Sequence, residues 1–176
     1  MLVQASEMLK LPASVVTVGA FDGVHRGHQA LIRRVLDRAE CLEVPSVVYT
    51  FDPPPRAYFQ GVPVLTPLTE KLRRLESLGL DHVVVADFDA ARASQSVEDF
   101  LEELAALNPK EVWVGPDFRF GYGRAGDVHT LGEHFATRVF EPVKCRKGEI
   151  ISSSRVRGLL ARGGVIEAHE LLGWSV

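Results

Sequence analysis

Two histidines three residues apart, His25 and His28, stand in the stretch VGAFDGVHRGHQALIRRV, between a Phe-Asp-Gly turn and a run with helical periodicity. Glycines at 19, 23 and 27 let the backbone turn sharply there and come close to a ligand. A helix that begins at such a bend aims its unpaired first-turn N–H groups at whatever occupies it, a geometry suited to phosphate. Imidazoles three apart around the helix start can face the same way and add donors toward phosphate oxygens. Where charge gathers on those oxygens in a transition state, losing one such donor typically costs about 3–4 kcal/mol of barrier. A metal pair is the first alternative, but no further His, Cys or carboxylate stands at a spacing that completes a site. Two merely structural histidines are the second. Asp22-Gly23 would suit a hairpin turn, yet the run after it is helical and not alternating.

The elements around the bend follow from apolar periodicity. Val15 to Val18 predicts a buried strand, and Leu31, Ile32, Val35, Leu36 and Ala39 recur at helical spacing after the bend. PSVVYTF (45–51) predicts a second strand, followed by DPPPR, where three prolines predict a rigid loop. Thr66 before Pro67 reads as an N-cap, and that helix should end at Gly79. HVVVADF gives a third strand, Ser96 opens the helix SVEDFLEELAAL, and Asn108-Pro109 stops it before the strand EVWVG. TRVFEPV and CRKGEIIS predict two more strands, with SSRVRGLLARG and GVIEAHELLG as closing helices. This alternation predicts an α/β fold in one domain over 1–176, with a mostly parallel sheet and helices on both faces. Ligands of such sheets sit beyond the carboxyl ends of the strands, which singles out the loops at 19–28, 52–66 and 116–127.

Composition agrees with a globular protein: 176 residues, 46% hydrophobic and 24% charged. A chain of this length should bury roughly 70% of its surface around one core. The opening MLVQASEMLKLPASVV has neither a signal-peptide pattern nor a long apolar run, so a cytoplasmic protein without membrane partner is expected. With a net charge of −3 and scattered basic residues, nucleic acid is not an expected partner and small molecules are favoured. Cys41 and Cys145 belong to no CxxC pattern and read as reduced packing residues.

Two further segments could touch phosphate. GYGRAG (121–126) matches a dinucleotide fingerprint only superficially, because it lies late in the chain and does not follow its strand directly. It reads better as a mobile flap with Arg119 and Arg124 available to phosphates. ISSSRVR (151–157) brings three hydroxyls and two guanidiniums, Arg155 and Arg157, to a helix start; Ser152 or Ser153 as a plain N-cap is the alternative.

The stretch GAFDGVHRGH (19–28) resembles the His-x-Gly-His signature of the nucleotidylyltransferase superfamily, in the form found in the FMN adenylyltransferase module of bacterial bifunctional riboflavin kinase/FAD synthetases. TFDPPPR (50–56), VGPDFRFGYGRAGD (114–127) and ISSSRVR continue the likeness in the family's order. The resemblance implies a Rossmann-like nucleotidylyltransferase fold and transfer of AMP from ATP, with Mg²⁺, to FMN, giving FAD and pyrophosphate. It implies catalytic roles for His25, His28 and Arg157, and ATP contacts at Gly19, Phe21, Asp22, His25, His28, Asp117, Ser153, Ser154 and Arg157. Flavin contacts would come from Asp52, Pro53, Pro54, Pro55 and Arg56, and no protein metal site is implied. Ala20 and Ser154 depart from the family's usual asparagine and threonine, and Pro54 stands where histidine is common, which bears on flavin affinity. The chain stops at Trp174-Ser175-Val176, where the family continues into a riboflavin kinase module. That leaves a stand-alone FMN adenylyltransferase without kinase activity, one with a separate riboflavin kinase as partner, or a nucleotide-binding remnant without turnover. A nucleotidylyltransferase for another phosphorylated acceptor is the remaining alternative.

Overall fold

A parallel sheet forms where the apolar runs predict strands. The computed structural model describes residues 1–5 and 9–174. Near the termini, Ser6, Glu7, Met8, Ser175 and Val176 lie outside the described residues. In chain order the elements are β1 (Leu2–Ala5), β2 (Ser14–Val18), α1 (Arg26–Cys41), β3 (Ser46–Asp52), α2 (Pro55–Gln60), α3 (Leu68–Ser77), β4 (His82–Asp87) and α4 (Ala90–Ala93). They continue with α5 (Val97–Ala105), β5 (Pro109–Val114), β6 (Arg119–Phe120), β7 (Gly126–Asp127), α6 (Val128–His134), β8 (Thr137–Val139), α7 (Ser153–Ala161) and α8 (Val165–Leu172). Six strands pair in parallel in the order β1-β4-β3-β2-β5-β8, while β6 and β7 make a separate antiparallel ribbon.

Both faces of the sheet are covered, which is why its central strands are mostly apolar and do not alternate. Val16, Val47, Val84 and Val112 pack with Phe100 and Leu104 of α5 and Leu131 of α6 on one face. Their neighbours Val15, Val48, Val83 and Trp113 meet Ile32 and Val35 of α1 and Leu75 of α3 on the other. Period-two side-chain direction in each strand thus assigns the two cores. Ser96 caps α5 as expected, accepting from the Asp99 N–H at 3.0 Å.

Several expectations are corrected. DPPPR is not a loop throughout: Asp52 ends β3, and Pro55 takes the first position of α2, with Arg56 next. A first-turn amide has no intrahelical partner, so proline loses nothing there. Thr66 is not an N-cap; α3 starts at Leu68, and the buried Thr66 hydroxyl accepts from the Gly23 N–H at 3.0 Å. CRKGEIIS forms a tight turn with one antiparallel bridge, Lys144 to Ile150, because its amides bond within the segment: Gly148 to the Cys145 carbonyl and Cys145 to that of Glu149. TRVFEPV shortens to Thr137–Val139, ahead of a proline that cannot donate to a ladder. Both cysteines are free, but Cys41 is exposed and packs no core. The glycine-rich segment is a short ribbon, in which Gly121 (φ +72°) lies so close to Val97 that a Cβ would sit 2.6 Å from its Cγ2. No periodicity announced β1, an edge strand on β4, or α4 and α6, which are too short to show a period.

Candidate active site

The strand order decides where a ligand can sit. From β2 the chain passes through α1 to β3 on one side, whereas β5, paired to the other side of β2, leads on to β8. Connections that diverge from adjacent parallel strands open a crevice at their carboxyl ends. The bend at 19–25 follows β2 at this crevice, and Gly115 to Phe118 follows β5 beside it.

The bend itself is strained and held on every side. Phe21 (φ +47°) and Val24 (φ +42°) take left-handed conformations that cost a non-glycine residue roughly 1–2 kcal/mol each, with Gly23 (φ +85°) between them. Each carbonyl from Ala20 to Val24 accepts a hydrogen bond. Ala20 receives Thr50 Oγ1 and Lys71 Nζ, both at 3.1 Å, and Phe21 receives the Val24 amide at 3.1 Å. Asp22 receives Ser153 Oγ at 2.8 Å and Gly23 receives Arg74 at 3.0 Å. Val24 receives Gln29 Nε2 at 2.9 Å and Trp174 Nε1 at 2.8 Å. The bend is therefore preorganised by residues drawn from α1, β3, α3, α7 and the segment after α8.

His25 is the N-cap of α1, and its Nδ1 accepts from the His28 amide at 3.3 Å. That bond fixes the neutral tautomer with the proton on Nε2. The two rings stack, with centroids 3.6 Å apart and 14° between planes, and Phe21 meets His28 edge-on at 5.1 Å. Gly27 makes room: a Cβ there would lie 3.1 Å from the His25 ring. Burial lowers the His25 pKa to about 4. His28 is also held well below its usual value by burial, then by His25 and Lys71. Both are neutral donors at pH 7. The His28 Nδ1 is buried without a partner, the kind of orphan that a ligand site leaves open.

These shifts give a stability prediction. Because the folded-state pKa is depressed, the unfolded chain binds protons first as pH falls. Stability should be full above pH 6.5 and decline toward pH 4, with His25 alone contributing about 3 kcal/mol over that window. Urea melts at stepped pH check this, and His25→Asn, which keeps an N-cap acceptor without titrating, should flatten the slope. An equal slope in the variant contradicts the assignment.

The structure gathers the other expected residues unevenly. Asp22 is 2% exposed; its Oδ1 accepts from the Leu65 and Thr66 amides at 2.9 and 3.2 Å, and its Oδ2 pairs with Arg157. Arg157 also donates through Nε to the Pro63 carbonyl at 2.7 Å. Ser153 donates to the Asp22 carbonyl, Ser152 caps α7, and Ser154 accepts from Arg56, which joins the 52–56 segment to α7. Gly19 meets the Phe21 ring, where a Cβ would sit 3.1 Å away. Arg155 pairs with Glu149 and Glu167 and donates to Cys145, and the exposed Arg119 pairs with Asp127 at 3.2 Å. Asp117 is exposed on the turn after β5.

Two features escaped the sequence reading. Lys71 is fully buried beneath the bend; its place on the apolar stripe with Leu68, Leu72 and Leu75 was the available signal. Tyr58 and Phe59, 41% and 64% exposed, form edge-to-face contacts with Phe88 next to the 52–56 segment, leaving aromatic surface open to a planar ligand. Among the described residues no three His, Cys, Asp or Glu side chains gather as a metal site.

The family model described as FAD synthetase matches residues 8–155. A Geobacillus thermodenitrificans protein provisionally named a bifunctional riboflavin kinase/FMN adenylyltransferase is 53% identical over 173 residues, covering 98% of this chain and 97% of that protein. The Escherichia coli (strain K12) bifunctional riboflavin kinase/FMN adenylyltransferase is 38% identical over 168 residues, and the match covers 90% of this chain. This chain spans only about half of that relative, 54% of its length. A Streptococcus pneumoniae crystal structure described as a macrolide-efflux protein matches with a TM-score of 0.84 at 30% identity, over 98% of this chain and 61% of the other. Among the described residues no helix here is long and apolar enough to cross a membrane.

Proposed function

The chain belongs to the FAD synthetase family, and from that premise we propose that it transfers the AMP part of ATP to FMN, releasing pyrophosphate and forming FAD, without phosphorylating riboflavin. The observation that carries the reading is the pair of neutral, stacked imidazoles on a fully hydrogen-bonded bend at the β2–β5 crevice. An oxygen of the FMN phosphate attacks the α-phosphorus of ATP in line; the new P–O bond forms as the bond to the pyrophosphate oxygen breaks. Such chemistry asks the protein for position and charge stabilisation and for no covalent intermediate.

His25 Nε2–H and the His28 imidazole donate to the α- and β-phosphate oxygens, with the first-turn amides of α1 beside them. Arg157, anchored by Asp22 and Pro63, turns its remaining Nη1 to the departing pyrophosphate, and Ser154 and the α7 start lie next to it. Asp22 and Ser153 serve the bend more than the nucleotide, since their polar atoms are already engaged. Gly19 and Phe21 shape the floor below the phosphates and Asp117 borders the nucleotide. Residues Asp52 to Arg56 receive FMN, with Tyr58, Phe59 and Phe88 offering faces to its ring.

The test is chromatography of products after incubating the chain with Mg-ATP and either FMN or riboflavin. FAD from FMN and no FMN from riboflavin is the expected result. ATP binding without FAD would move the reading to another phosphorylated acceptor, and FMN made from riboflavin would overturn the claim of a single activity.

A further inference from the structure

We infer that Lys71 is a positioning residue that sets the distance between the nucleotide bend and the acceptor segment; the inference rests on the adenylyl-transfer reading above. Its Nζ donates to the Ala20 carbonyl in the bend after β2 at 3.1 Å and to the Phe51 carbonyl at the end of β3 at 2.9 Å. Thr50 Oγ1, 3.5 Å from the same amine, itself donates to the Ala20 carbonyl at 3.1 Å. The clamp thus joins two adjacent parallel strands where they diverge into different loops, one leading to His25 and His28 and the other to Asp52–Arg56.

Filling space alone does not call for this arrangement. Lys71 is 0% exposed, and among the described residues it has no carboxylate at ion-pair distance. Burying an ammonium without a paired anion costs several kcal/mol, and a methionine would fill the same volume without that penalty. The amine's acceptors are neutral oxygens, two of which are the carbonyls that fix where each loop begins. Asp22 and Asp52 act on it only through space, and Asp22 is already bound to Arg157. In-line attack requires the FMN oxygen and the α-phosphorus to meet in near-attack geometry, and an error of about 1 Å costs on the order of 100-fold.

The test compares the wild-type chain with Lys71→Met and Thr50→Val. Lys71→Met should lower kcat for FAD formation on the order of 10- to 100-fold, while calorimetric Kd values for ATP and for FMN, each measured alone, stay within about threefold. Thr50→Val, a milder isosteric cut of the same clamp, should move kcat in the same direction and decides the matter if Lys71→Met does not fold. Lys71→Arg, which keeps charge and donors, should recover part of the loss. Hydrogen exchange supplies a readout independent of the acceptor: ATP should slow exchange in both 19–28 and 50–56 in the wild type but only in 19–28 in the variants. Wild type without FAD formation defeats the functional reading, and the exchange pattern then decides the clamp by itself. A folded variant with wild-type kcat, a loss confined to one substrate's KM, or unchanged protection of 50–56 overturns the inference.

Discussion

Replacing His28 by alanine should lower kcat for FAD formation by about 10²–10³, equal to about 2.7–4 kcal/mol of transition-state stabilisation, with FMN affinity unchanged within about twofold. The reason is geometric and electrostatic. The imidazole is held between His25 at 3.6 Å and Phe21 at 5.1 Å, so its orientation is fixed before substrate arrives. Burial, then the neighbouring His25 and Lys71, hold its pKa well below the usual value, so it is a neutral imidazole with one ring N–H to donate to a phosphate oxygen. Charge that develops on the α-phosphate then meets a donor that needs no reorganisation. The segment at 52–56, proposed above to receive FMN, belongs to a different loop, which is why FMN affinity should not move. His28→Asn, retaining an amide donor on a shorter arm, should recover part of the rate. Steady-state kinetics with flavin titrations reads the difference, and an unchanged kcat in His28→Ala removes the assigned role.

Asp22→Ala should destabilise the fold by about 3–5 kcal/mol, because it strands two amides and leaves the partly buried Arg157 guanidinium without its carboxylate. Asp22 is 2% exposed, and its carboxylate holds Arg157, whose side chain is 14% exposed, together with the Leu65 and Thr66 N–H groups. For a chain of this length each kcal/mol shifts Tm by about 2–4 °C, so a fall of roughly 6–20 °C is expected by calorimetry. Asp22→Ala/Arg157→Met, which removes the stranded charge, should regain part of that loss. If Tm holds and only the KM for ATP rises, Asp22 is a nucleotide contact and not the keystone of the bend.

The sequence alone determined the alternation of strands and helices, since a strand buried on both faces must be mostly apolar and a covering helix must carry an apolar stripe. It also singled out the bend as the candidate site: glycines at 19, 23 and 27 with His25 and His28 are a pattern suited to phosphate. Caps such as Ser96 were legible because a side-chain hydroxyl bonds an amide three residues away. Short elements were not, as β1, α4 and the seven-residue α6 have too few residues to show a period. Only the tertiary structure decided which polar groups are engaged by the scaffold. Arg155 and Arg157, two apart in one helix, face different partners, Glu149 and Glu167 for the first and Asp22 for the second, and neither spacing nor composition tells them apart. The same holds for Lys71, an ordinary helical lysine in the sequence, whose place beneath the bend depends on how α3 packs across β2 and β3. Local patterns fix what a segment can become, while the partner of each charge is fixed by residues far away in the chain that only folding brings within hydrogen-bond reach.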